Sequence, residues 1–223
     1  MVRRRTAVST AAAVVLLLAS PALTACGSSG PGRTGAAAVV GDQRISVSSL
    51  QAKVNAVRAE QAGSPQGDQM IAQSGKLSTQ TLNLLVVSAV VEKAAQDAGV
   101  SASGDEVAQQ HDMALQQAGG NQKALDALLL QQYGFGTAEA DTFFRTNVLV
   151  GKLIVSLGYQ PGSDGGNTAL NAALAKTAKK LGVTVNPRYG TWDPKNVGIG
   201  KAHDPWVVDS GAGTASPVGA PAA

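Results

Sequence analysis

The stretch at residues 86–107, VVSAVVEKAAQDAGVSASGDEV, limits what this chain can fold into more than any other. It contains the end of one apolar helix, a Gly-Val-Ser turn and the capped start of another helix. The first of these is predicted over residues 78–98, with Ser78 or Thr79 as its cap. Leu82, Leu84, Leu85, Val86, Val87, Val90 and Val91 cover most of its circumference. A helix that is apolar nearly all round is buried on several sides, so the remaining elements must pack around it. Gly99 suits the position just past a helix end, where a positive φ is wanted. Ser103 and Glu106 fit the reciprocal capping pattern, in which each side chain takes the other's free backbone N–H.

The flanking sequence supplies the partners. Residues 37–45 (AAVVGDQRI) read as a short strand or hairpin bending at Gly41-Asp42. Ser46 then caps a helix over 47–61, with Leu50, Val54 and Val57 on one stripe. Residues 63–75 are polar, hold Pro65 and three glycines, and receive no predicted element. The helix over 104–118 is thin on apolar residues (Val107, Met113, Leu115) and reads as an outlying element. Asn121 caps a helix over 122–133, whose buried stripe is predicted as Leu125, Leu128 and Leu129. Thr137 is expected to cap a long helix to 157, with Glu139 and Asp141 in its first turn. Its residues Phe143, Phe144, Val148, Leu149, Val150, Leu153, Ile154 and Leu157 are expected to be buried. A break at 158–166 precedes a sixth helix over 168–181, and residues 183–192 (VTVNPRYGTW) read as a strand, with Pro187 confining it to an edge. The fold class expected is mainly α: about six helices closed by a small two-stranded sheet that pairs the N- and C-terminal strands.

The ends of the chain carry a different message. Arg3, Arg4 and Arg5 precede an apolar run at 11–18 that is too short to span a membrane. Leu23-Thr24-Ala25-Cys26 follows and resembles a bacterial lipobox. The expectation is a lipoprotein signal peptide over 1–25, lipidation at Cys26, a flexible Gly/Ser tether over 26–36, a folded domain over 37–200 and a disordered tail over 201–223. Attachment to the extracytoplasmic face of the cell membrane follows, by the Sec or the twin-arginine route. Losing three arginines also changes the charge: 18 Lys+Arg against 15 Asp+Glu becomes 15 against 15. The basic balance thus belongs to the discarded segment and gives no case for nucleic acid. With Cys26 the single cysteine, no disulfide framework is available.

Taken together, these residues resemble a known family. Residues 39–50 (VVGDQRISVSSL) resemble the opening of the N-terminal chaperone domain of the SurA and PrsA type. Residues 90–101 (VVEKAAQDAGVS), followed by Glu106-Val107, are similar to that family's helix end and next helix start. Asn186-Pro187-Arg188-Tyr189-Gly190 resembles the closing strand of actinobacterial lipoproteins of this type. The likeness extends over about residues 37–192. In SurA and PrsA a parvulin isomerase domain is inserted before the last helix and strand, and here the corresponding place is 158–166. Nine residues cannot hold a domain, which needs roughly 50. The resemblance therefore implies the chaperone module without the isomerase.

Side chains that could carry chemistry have plainer readings. His111 beside Asp112 reads as a solvated surface histidine, and His203 with Asp204 lacks a third ligand for a metal. Asp105-Glu106 is explained by capping. Gly134-Phe135-Gly136 follows no strand and matches no phosphate loop. Lys179-Lys180 sits at a helix C-terminus, where the dipole favours cations, though anionic lipid is an alternative contact. Residues 101–144 hold six acids and the one base Lys123, while 145–201 hold eight bases and two acids. The two regions either attract within the fold or rim a cleft. No enzyme, cofactor, metal or small-molecule substrate is expected. The function expected is chaperone-like binding of unfolded or exported polypeptides, with Met113, Leu128, Leu129, Tyr133, Phe135 and Phe143 as candidate contacts, although core packing is the plainer reading of each. The alternative is a structural or adaptor lipoprotein with one specific envelope partner.

Overall fold

The computed structural model describes residues 35–200, so the expected signal peptide, Cys26, most of the tether, His203 and the tail lie outside it. The chain begins with a hairpin, β1 (Ala36–Val40) and β2 (Gln43–Ser46), paired antiparallel with Val40 opposite Gln43 and Ala38 opposite Ile45. Ser46 then accepts from the N–H of Ser49 and starts α1 (Val47–Ala62). Leu50, Val54 and Val57 are buried along α1, as the spacing predicts.

At the centre lies α3 (Leu77–Asp97), whose Leu82, Val86, Val90 and Val91 are fully enclosed. It packs against α1, against α6 (Thr137–Ser156) and α7 (Asp164–Leu181), and against β1. This is the arrangement its all-round apolar surface requires. No side chain caps its N-terminus; instead the Thr79 hydroxyl donates to the carbonyl of Tyr189 at 2.9 Å, tying the first turn to the C-terminal segment. At the other end Gly99 takes φ +68°, the N–H of Val100 donates to Ala95 O at 2.8 Å, and that of Gly99 to Gln96 O at 3.1 Å. These two bonds are the Schellman pattern. Ser103 and Glu106 then form the expected reciprocal cap of α4 (Gly104–Gln117), and Asn121 caps α5 (Gln122–Tyr133).

Several expectations are corrected. Residues 63–75 are not structureless: they hold the short α2 (Gly67–Gln73) and a 3₁₀ turn at Ser74–Lys76. A Cβ at Gly67 would lie 2.4 Å from Gln61 O, so this glycine lets α2 fold back on the end of α1. Thr137 is not a cap. Gly136 holds that position, and the free N–H of Thr137 is taken by the Glu60 carboxylate of α1 at 3.0 and 3.1 Å. Helix α7 starts at Asp164 under a Ser163 cap, so the connection from α6 is only residues 157–163 and no domain is interposed. Gly166 reads as part of a break but lies inside α7, where a Cβ would come within 2.8 Å of Ile154 Cγ2: the helices cross too closely there for a side chain.

The C-terminal segment closes the domain as expected, though in pieces. Strand β3 (Thr184–Val185) pairs antiparallel with β1, placing Val185 opposite Ala38 and giving the sheet order β2-β1-β3. The sheet therefore has three strands. Pro187 starts a 3₁₀ turn (Pro187–Tyr189) that ends the strand, with the Asn186 side chain accepting from the Arg188 N–H. A separate hairpin follows, β4 (Thr191–Asp193) with β5 (Gly198–Gly200), held to α3 by the Ile199 N–H donating to Asn83 Oδ1 at 2.8 Å. Among the described residues there are seven α-helices, and none is long and apolar enough to cross a membrane.

Candidate functional site

Helices α4 and α6 lie side by side and run antiparallel: Glu106 meets Lys152 near one end and His111 meets Phe144 nearer the other. Each helix turns one stripe toward a shared groove of about 480 Å³. From α4 come Glu106, Gln109, Gln110 and Met113, spaced by three or four residues; from α6 come Asn147, Val148, Gly151, Lys152 and Val155. Val100 and Pro161 also line it. The groove exposes apolar surface in the folded chain, since Met113 is 44 % and Val155 59 % exposed. Helix α4 buries none of its residues fully, so it sits on the domain as the outlying element its composition predicts.

The polar side chains of the groove are three amides, the Ser156 hydroxyl and two charged groups. Its two charges neutralise each other: Lys152 Nζ donates to Glu106 Oε1 at 2.6 Å. That contact, followed by the Ser103 N–H, holds the Glu106 carboxyl down to about 2. The same acid therefore caps α4 and ties it to α6. Arg145, about two turns earlier on α6, donates to Glu92 on α3 and to Ala102 O, and the Glu92 contact raises its pKa. Of the acids in residues 101–144, Glu106 thus meets a base of 145–201, while Arg145 pairs with Glu92, which lies outside both regions.

A row of rings lies toward the first half of α6. Tyr133 stacks on Phe135 at 6.0 Å between centroids, both contact Phe143, Phe143 meets Phe144 at 5.4 Å, and His111 stands edge-on to Phe144 at 5.3 Å. The row leads from the exposed Tyr133 to the enclosed Phe144. His111 is consequently half-buried against a ring and not fully solvated.

The candidate contacts do not form one patch. Met113 lines the groove, and Tyr133, Phe135 and Phe143 form the ring row. Leu128 is exposed on α5, whereas Leu129 is buried beside Leu125 and Phe144. The buried stripe of α5 is Leu125, Leu129 and Leu130, one register step from the expected set. Leu157, expected inside, is also exposed. Sequence reading missed Val155, Val148 and Gly151 as groove residues. The spacing of Asn147, Gly151 and Val155 at i, i+4 and i+8 is the available signal, but the apolar weight of α6 made the whole helix read as core. Among the described residues no group of His, Cys, Asp and Glu could hold a metal ion.

Among the described residues, the groove presents apolar surface with three amides and one neutralised ion pair. Comparison with curated proteins and with solved structures finds no match. The family model of the SurA-like N-terminal domain matches residues 1–154. The match ends inside α6, so α7 and the C-terminal strands lie beyond it, although Leu174 and Ala178 of α7 join the same core. It points to a chaperone-type, non-catalytic domain with polypeptide as its class of partner. On this evidence the chain belongs to the SurA-like N-terminal domain family.

Proposed function

We propose that this protein is a membrane-tethered, extracytoplasmic chaperone-like lipoprotein that holds unfolded or newly exported polypeptides without isomerising them. The observation that carries the reading is the α4–α6 groove, whose apolar lining stays open to solvent in the folded domain. Exposed apolar surface that includes Met binds varied partners weakly, because Met repacks at low cost. No covalent step is involved, and the direct α6–α7 connection leaves no room for an isomerase domain. The lipobox-like residues 23–26 support the anchor: a diacylglyceryl group on Cys26 supplies more than one acyl chain, which stable attachment needs.

Light scattering of several unrelated proteins, diluted from denaturant with and without the mature chain, tests the holding activity. Suppression across unrelated proteins is expected, and Met113→Glu should weaken it, since it puts an unpaired charge in the groove. Absence of suppression, together with recovery of one partner by crosslinking in cells, would favour an adaptor for that partner. The anchor is tested separately by mass spectrometry of the N-terminal peptide: wild type carries lipid on Cys26, and Cys26→Ala loses both the lipid and the membrane association.

A further inference from the structure

Among the glycines of the described helices, Gly67 and Gly166 sit where a Cβ would collide with a neighbouring element, a Cβ at Gly165 would crowd the Tyr159 ring at 3.1 Å, and Gly104, though open, lies in a first turn. Gly151 is the only glycine inside a helix beyond its first turn among the described residues. Its φ is not positive, and a Cβ built on it meets nothing within 4 Å. A glycine in a helix interior weakens the helix relative to alanine, and neither backbone nor packing asks for one here. What Gly151 does have is its place in the groove, between Val148 and Val155 on its own helix and facing the stripe of α4 that ends at Met113.

The surrounding chemistry specifies what can enter. Gln109, Gln110 and Asn147 offer amide donors and acceptors of the kind an extended backbone pairs with. Glu106 and Lys152 satisfy each other, so the groove has no charge left to offer an ion. A charged side chain brought in would be desolvated without a partner. From Val148 to Val155 the helix advances about 10 Å, the length of roughly three extended residues.

Resting on the chaperone reading, we propose that the space above Gly151 is a subsite that receives one apolar side chain of an extended, uncharged polypeptide segment, with the amides of Gln109, Gln110 and Asn147 meeting its backbone. Gly151 is then the residue that sets what the groove accepts. The occupant is an unfolded client segment.

The test uses the full mature chain and fluorescence anisotropy with labelled peptides of alternating Gln and Ser. One peptide carries a central Leu; the others carry Lys or Glu at that place. Wild type should bind the Leu peptide about tenfold or more tightly than the charged ones, as expected for burying one aliphatic side chain. Gly151→Leu should fill the subsite and lose that preference, and Gly151→Ala should weaken it partly. Both variants replace glycine with a good helix former at an open position, so their melting temperatures should equal or exceed wild type. Equal Leu-peptide affinity in wild type and Gly151→Leu, with aggregation suppression intact, overturns the subsite and leaves the chaperone reading standing. Failure of wild type to suppress aggregation overturns that reading itself.

Discussion

Gly99 offers a clean measurement of what a helix stop contributes to this fold. It closes the central helix α3 at φ +68°, and the Schellman bonds from Val100 and Gly99 depend on that conformation. A Cβ at Gly99 meets nothing within 4 Å, so the added Cβ creates no clash and its cost is backbone strain. Left-handed backbone costs an L-residue about 1–2 kcal/mol, and a β-branched one falls at the upper end of roughly 1–3 kcal/mol. Replacing glycine also restricts the unfolded chain, which returns about 0.4–1 kcal/mol. Gly99→Val should therefore destabilise by about 2–2.5 kcal/mol, Gly99→Ala by less, and Gly99→Asn least, because Asn tolerates this region. For a domain of this size the Val variant should melt about 4–10 °C below wild type. Urea and thermal unfolding followed by far-UV circular dichroism would read this directly. If Gly99→Asn loses as much as Gly99→Val, or if neither loses anything, the turn does not depend on positive φ and the reasoning fails.

Two other perturbations test contacts that join distant parts of the chain. Lys53 on α1 donates to Glu139 Oε1 at 3.0 Å, and Glu139 is 1 % exposed with its second oxygen buried without a partner. Lys53→Met strands that carboxylate and should cost about 3 kcal/mol, the low end for breaking a buried pair because Lys53 is partly exposed; adding Glu139→Met should recover most of it in urea unfolding, and an equal loss in single and double variants would refute the pairing. For Glu106 the folded carboxyl is held down to about 2 against an ordinary value of 4.5, so its stabilising contribution is complete above about 4.5 and is lost as pH falls toward 2. Melting curves of wild type and Glu106→Gln should converge at the acid end and separate as pH rises through that window, whereas a constant gap would show that ionisation is not involved.

The contrast between what the sequence announces and what it hides follows from the range of each interaction. Ser46, Ser103 and Asn121 cap helices whose first turns lie within three residues, so their roles are readable locally. The burial of α3 is readable because its apolar residues leave no polar face. The cap that Glu60 provides to α6 is not readable, since the two residues lie 77 positions apart and nothing at either site marks the other. Glycine makes the point most sharply. Gly99 is recognised from the helix it ends. Gly166 looks like a break, yet it lies inside α7 because Ile154 of α6 needs the space its missing Cβ leaves. Gly151 is marked locally by its spacing with Asn147 and Val155 alone, and its vacant position is filled by no residue near it. Sequence shows that a side chain is missing; packing shows whether a turn or a neighbour uses the room. Where neither does, as at Gly151, and the room opens into an apolar groove, the vacancy is best explained by something the chain binds, and that is the kind of functional residue that helix periodicity alone assigns to the core.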